Sequence, residues 1–598
     1  MAKRPSRTRS TPGPTRSTRT RVPAVRGRAT ARSRQEPPPS PAEGEVYVAT
    51  CRAVLVLAAP AESDDARAQS IAEAAVRETI GEGYRVDSLG PASRDYRVSR
   101  ADGALIDPGT AWTLTRALQA HRDIADAEPA IDQPGLEPPP GTLGPPAAIR
   151  PRDFGRDDPL PCAASSPEWS LELCRVKQAW ALTPPTPQGR VRGEGIVVGH
   201  PDTGYTRHAE IFDTPPRVRV ADSFDFVRRT PDAVDPLERG NPGHGTTTAS
   251  VIMSSTGGTG TTFVSGIAPK AAIVPLRVTP RVILVGFDRL AEAIRYATDR
   301  GCHVISMSLG GVTPSGALER AIAYAVSEGV VVLAAAGNVW PWVVYPARYD
   351  QVIACAACNC QRGVWSKSAS GSTVDVTAPG ESVWVARAGK DAGQGDDIVD
   401  IGSGTSYAVA TTAGACALWL AFHGREALIT RYGKGQIAAV FKEVLMTHGV
   451  TTPAGWQTDK HGAGILDVEK LLSASLPATP PASGLRMRAS PAARAQNDVD
   501  RFLPYYPDVD SERVRRGLVR LLSTTDRELP LVLADLGDEL LFHVATNPDV
   551  RASVLKGGGP KKRGRALAPR SVTSTTVARG PAVRLSREGS RALLARLE

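Results

Sequence analysis

The stretch HVISMSLGGVTPSGALERAIAYAVSEGVVVLAAAGN, residues 303–338, decides the fold. It holds an apolar strand (HVISMSLGG), an amphipathic helical segment (GALERAIAYAVSEG) and a second apolar strand (VVVLAAAGN) in direct succession. Strands that are apolar throughout and alternate with amphipathic helices argue a parallel sheet covered on both faces. The same alternation runs outward from here, through the strands GIVVGH and AAIVPLRV and the helical stretches HGTTTASVIMSS and FDRLAEAIRYATDRG, and fills residues 166–474. The expected fold class is therefore α/β, a mostly parallel sheet with helices on both faces. In such sheets functional residues gather beyond the carboxyl ends of the strands.

Two smaller units flank this region. Residues 46–133 read as β-α-β-β-α-β, a small α+β ferredoxin-like domain, with VYVATCRAVLVLA as first strand and IADAEPAI as last. Residues 134–165 form a Pro/Gly-rich linker, expected to be extended and exposed, and 475–495 form a second linker. Residues 496–555 read as a helical C-terminal module, and 556–598 as a basic, loose tail.

The chain has 598 residues, enough for two or three domains. Its net charge of +10 is misleading. Residues 1–35 carry 11 Lys/Arg and no acid, and residues 551–598 carry 12 against 2. Removing these from totals of 72 and 62 leaves 49 basic and 60 acidic residues in 36–550. The body is acidic, which argues against a specific nucleic-acid partner. No apolar run reaches the length of a membrane span. The N-terminal 45 residues have the charge of a signal peptide without its apolar core, and read as a disordered basic tail. From this the compartment is expected to be cytoplasmic, with an extracellular one as the alternative. The eight cysteines are expected to be free core thiols, with Cys162–Cys174 the one candidate pair. CAACNC at 355–360 has close thiol spacing but no second cluster, so no metal site is assigned to it.

Three segments place chemistry at strand ends. VVGHPDTGYTRHAEI puts Asp202 after a strand, GNPGHGTTTASVI puts His244 at a helix start, and GSGTSYAVATTAG puts Ser406 at another. A serine hydroxyl needs a histidine to take its proton, and the histidine needs a carboxylate to hold its tautomer. Asn338, at the end of VLAAAGN, can donate to a developing oxyanion. Taken singly, each is readable as a turn, a cap or a loop amide. Four such coincidences on one sheet are not a natural accident.

With DTG, HGTTTA, AAAGN and GTSYA in the order Asp, His, Asn, Ser, the chain strongly resembles the subtilisin-like serine proteases, or subtilases, over residues 166–474. GIAPKAAIVPLRV and ISMSLGG extend the likeness. The resemblance implies a serine endopeptidase with catalytic Asp202, His244 and Ser406, an oxyanion hole at Asn338, and polypeptide substrates. It implies substrate-binding strands at Ser308, Leu309 and Gly310 and at Ala335, Ala336 and Gly337. It also implies that 46–133 is a propeptide acting as intramolecular inhibitor, cleaved off between about 134 and 165. The alternative is a catalytically silent subtilase fold working through its C-terminal module and basic tails. No cofactor is required for the chemistry. Calcium is a possible ligand with Glu210 as the one nameable carboxylate, whereas a hard cation wants six or more oxygens. Two features depart from the family. Tyr407 stands where a methionine usually follows the nucleophile, which removes an oxidisable thioether. Trp340 and Trp342 occupy a short loop that is usually longer and Gly/Ser-rich, so they either narrow the first specificity pocket or pack as core.

Overall fold

A strand covered on both faces is nearly continuously apolar. Strands Val197–Asp202, Val304–Met307, Val331–Ala335 and Ile353–Cys358 are so apart from His200, Asp202 and Ser306, with every residue buried. In the computed structural model they lie side by side, parallel, at the centre of a ten-stranded sheet. Ala272–Arg277 continues the sheet on one side and Val376–Pro379 on the other, and antiparallel pairs close both edges. The structure describes residues 52–132, 160–481 and 499–555, with short internal gaps of which 256–262 and 389–397 are the longest. The two basic tails and most of both linkers lie outside the described residues.

Helix Thr405–His423 crosses one face of this sheet with all 19 residues buried. Among the described residues it alone is long and apolar enough to cross a membrane, and here it is a core helix. Alanines and Gly414 let its neighbours approach closely. A β-carbon on Gly414 would stand 2.6 Å from Ile267 Cβ.

Residues 52–132 run β-α-β-β-α-β. The four strands form one antiparallel sheet in the order Tyr84–Ser88, Asp95–Arg100, Arg52–Ala58, Asp126–Asp132. This unit packs on helices Asp288–Asp299 and Gly316–Ser327 through buried charge. Arg97 bonds Asp288 at 2.6 Å and Glu292 at 2.9 Å. Asp95 receives Arg295 at 3.0 Å and Arg320 at 2.7 Å. Glu128 accepts from Ser315 Oγ and from Gly316 N–H at the start of the second helix.

The C-terminal segment forms helices Ser511–Leu521, Leu529–Thr546 and Pro548–Leu555. They touch both other units. Glu539 pairs with Arg116, and Phe542 packs on Trp112 with ring centroids 6.5 Å apart.

One expectation needs correction. The described end of the first linker forms a short helix, Pro161–Ala164, and is tied down. The tie is a disulfide from Cys162 to Cys360, 198 residues away, so Cys162 does not pair with Cys174. Cys174 ends helix Trp169–Leu173 with its thiol in the main core, where burial pushes its pKa well up. Among the described residues the other free cysteines, 302, 355, 358 and 416, are buried as well.

A cross-link closing so long a loop removes unfolded-state entropy worth several kcal/mol. Replacing both Cys162 and Cys360 by Ser should cost roughly 2–5 kcal/mol in thermal unfolding. Peptide mapping without reductant should recover the 162–360 linked pair, and a 162–174 link would overturn the assignment.

Candidate active site

Asp202 is the last residue of its strand and has no exposed surface. His244 opens helix His244–Met253. The helix reaches Asp202 because Gly245 lets backbone lie on backbone. A β-carbon there would sit 1.9 Å from the Gly204 carbonyl oxygen, which any side chain forbids. Asp235 fastens the same corner, accepting from Thr203 Oγ1 at 2.7 Å and from Gly243 N–H at 2.8 Å.

His244 Nδ1 lies 2.7 Å from Asp202 Oδ1, and His244 Nε2 lies 3.1 Å from Ser406 Oγ. An ionised carboxylate only accepts, so Nδ1 carries the proton and Nε2 is free to accept from the serine hydroxyl. Burial would raise the Asp202 pKa, but the charge and hydrogen bond of His244, the charge of His200 and the Thr203 N–H hold it below the ordinary carboxylate value. The carboxylate therefore stays ionised behind the imidazole. Behind it in turn, His200 Nε2 lies 2.9 Å from Thr248 Oγ1, which faces Asp202 Oδ2 at 3.5 Å. Burial pushes the His200 pKa down, against the pull of Asp202.

Ser406 sits one residue into its helix, with 6% of its surface exposed. Asn338 faces it across the cleft. Its Oδ1 accepts from Thr405 N–H at 2.8 Å and from Thr405 Oγ1 at 2.6 Å. A backbone N–H can only donate, which assigns the oxygen to that side and turns Nδ2 away from Thr405. Thr405 Oγ1 also accepts from Gly337 N–H at 3.1 Å. Ser308 Oγ donates to the Ser406 carbonyl at 3.1 Å.

A cleft opens beside Ser406. Ser308, Leu309, Gly310, Ala335, Gly337 and Asn338 line it, as do Val282, Ile283, Trp340 and Val344. Ala336 is absent from the lining. It is fully buried, its N–H bonded to Cys355 and its carbonyl to Val344, so it belongs to the strand end rather than the cleft. Trp340 does both things the sequence left open, since it lines the cleft and packs in a core. Sequence reading passes over Thr405, Thr248, Asp235 and Val344. Thr405 and Thr248 carry a signal, standing inside the GTSYA and HGTTTA motifs; Asp235 and Val344 act through contacts that only the fold creates.

At Glu210, burial raises the pKa, while the Val264 N–H and the Ser254 hydroxyl favour the anion. Among the described residues no three His, Cys, Asp or Glu side chains stand together as metal ligands.

A buried carboxylate, an imidazole and a serine hydroxyl in one hydrogen-bonded line, with an amide facing the hydroxyl across a cleft, define a serine hydrolase of the α/β type. The sequence profile described as the Subtilase family, Peptidase S8, matches residues 193–449. Thermitase from Thermoactinomyces vulgaris is 34% identical over 265 residues, covering 44% of this chain and 85% of thermitase. Subtilisin Savinase from Lederbergia lenta is 33% identical over 227 residues, covering 38% of this chain and 76% of that protein. The fold is shared with fervidolysin from Fervidobacterium pennivorans, at a TM-score of 0.52 and 21% identity, covering 73% of this chain and 63% of that one. The chain belongs to the subtilase family, and it is a subtilisin-like serine endopeptidase.

Thr405→Val removes the hydroxyl that holds both Asn338 and the Gly337 N–H. Losing a buried hydrogen bond of this kind costs about 1–3 kcal/mol. If Asn338 stabilises an oxyanion, kcat should fall about tenfold or more with KM little changed. An equal rise in KM with kcat intact would show that Thr405 serves binding alone.

Proposed function

We propose that Ser406 attacks the scissile carbonyl while His244 takes its proton and Asp202 orients and stabilises the imidazolium. The observation that carries this reading is the Asp202–His244–Ser406 line of hydrogen bonds at 2.7 and 3.1 Å. The tetrahedral oxyanion is held by Asn338 Nδ2 and the Ser406 N–H, at a helix N-terminus whose free N–H groups favour negative charge. Collapse expels the amine, protonated by His244, and leaves an acyl-enzyme. Water activated by the same imidazole then releases the acid. Subtilisin, a member of the same family, is the reference case for this triad order and for an oxyanion-binding asparagine.

We further infer a self-inhibited zymogen. The 52–132 unit sits on two helices of the catalytic unit through buried ion pairs, and a Pro/Gly-rich segment follows it. Cleavage within that segment would leave the new N-terminus anchored by the Cys162–Cys360 link. A disulfide of this kind supports an oxidising destination, the extracellular alternative rather than the cytoplasmic one.

A fluorophosphonate probe should label the purified protein once, at Ser406, and Ser406→Ala should abolish labelling. The Ser406→Ala chain should also remain full length by mass spectrometry. A folded wild type, with its N-terminal unit removed, that stays unlabelled would falsify the protease mechanism.

Docking of the N-terminal unit should weaken as pH rises. Burial and the neighbouring Asp126 push Glu128 up to about 7, against the Ser315 hydroxyl, Arg320 and the Gly316 N–H. Released, the carboxyl returns towards its ordinary value of 4.5. The docked state thus holds a proton that the released state gives up, so this contribution is full below about pH 4.5 and lost as pH rises through about 7. After cleavage, the N-terminal fragment should co-elute with the enzyme at pH 5 more than at pH 8, and Glu128→Gln should flatten the difference. Equal retention of the wild-type fragment at both pH values would refute it.

A further inference from the structure

The cleft beside Ser406 lies between two short walls, Ser308–Gly310 on one side and Ala335 with Gly337 on the other, each containing a glycine. Between those glycines stands Val344. A β-carbon on Gly310 would come within 2.8 Å of Val344 Cγ2, and one on Gly337 within 3.3 and 3.4 Å of its two methyls. The methyl groups therefore occupy the space that two adjacent glycines open, and they form part of the cleft lining.

Val344 is not free to recede. Its N–H donates to the Ala336 carbonyl at 3.0 Å, and the next residue, Tyr345, exchanges two 2.8 Å backbone bonds with Gly311. The segment is thus strapped to both walls. From outside, the C-terminal module braces the loop that leads into it. Trp340 and Trp342 share a core with Phe502, Tyr505 and Tyr506, and Trp342 packs on Tyr505 with ring centroids 4.8 Å apart. The Tyr505 hydroxyl donates to the Val312 carbonyl, just beyond the first wall. Among the described residues, none that lines the cleft is charged.

We propose that Val344, braced by the C-terminal module, is a specificity-determining residue that makes the first pocket shallow. The enzyme then cleaves after small, uncharged side chains. Aromatic side chains meet the valine methyls, and lysine or arginine would be buried with no carboxylate to pair with. Val344 would touch the substrate, and Tyr505 is a positioning residue acting through the loop. This inference rests on the serine endopeptidase reading and names the substrate class of that same site.

The test uses the mature enzyme, titrated with a fluorophosphonate, on tetrapeptide p-nitroanilides that differ only in the residue before the scissile bond: Ala, Phe or Lys. Per titrated site, kcat/KM for Ala should exceed that for Phe by about tenfold or more, the scale on which pocket shape discriminates, and exceed Lys further. Val344→Gly should raise Phe cleavage and narrow or reverse the ratio. Val344→Ala should do so partly, and it carries the test if the glycine variant does not fold. Tyr505→Phe should relax the Ala/Phe ratio through KM for Phe, with titratable sites retained. A titratable wild type that prefers Phe or Lys overturns the proposal, as does a ratio that Val344→Ala leaves unchanged. A ratio indifferent to Tyr505→Phe removes the C-terminal module from it. A wild type that cannot be titrated at all overturns the protease reading instead, and with it the basis of this one.

Discussion

Helix Thr405–His423 has no solvent face, and the position of Ser406 follows from that. With all 19 residues buried, its rotation and translation are set from every side by packing. Strands Val304–Met307, Val331–Ala335 and Ile353–Cys358 lie along one side of it and helix His244–Met253 along another. The distance between His244 Nε2 and Ser406 Oγ is therefore a helix-packing distance. It depends on small residues at the contact, such as Gly414 against Ile267, more than on any flexibility of the two side chains. The same helix start supplies Thr405, which orients the asparagine amide. One buried element thus positions Ser406 and one of the groups facing it.

That dependence explains how much of the site is legible in the sequence. Asp202, His244, Asn338 and Ser406 are visible because each stands where a strand or helix ends, and strand ends are legible from apolar runs. The parallel sheet is visible for the same reason, since strands buried on both faces cannot hide their composition. What stays hidden depends on pairings between distant segments. Cys360 sits among three cysteines within six residues, and no local pattern says that it meets Cys162, 198 positions earlier. The tryptophans at 340 and 342 read as a local oddity in a loop. Their reason lies about 160 residues later, in Tyr505 and the helices around it. His200 looks like one more strand residue, yet it backs the carboxylate through Thr248.

The C-terminal module shows how a short addition reaches an active site without contributing a residue to it. It buries aromatic side chains against the loop next to Asn338 and ends a hydrogen bond on Val312, so it grips the far side of both cleft walls. It also holds the N-terminal unit through Arg116–Glu539 and Trp112–Phe542. Inhibitor-like unit, pocket wall and C-terminal helices are therefore mechanically joined.

Charge runs through the joint between the N-terminal unit and the catalytic helices, beside apolar contacts of Val56, Leu89 and Ala130 with the main core, and under the proposed zymogen this has a consequence for release. Asp95, Arg295 and Glu292 are nearly inaccessible while the units are together. Buried ion pairs recover in mutual attraction about what they lose in dehydration, so they specify geometry more than they add affinity. Apolar burial of equal area would have no such offset. On separation each charge regains water, and arginines already lying on the helix surface need no new partner inside the protein. A joint of this kind is exact in register yet open to reversal once the connecting chain is cut. In the proposed zymogen the inhibitor must first fit and later leave, and a joint rich in buried ion pairs meets both requirements better than a purely apolar one would.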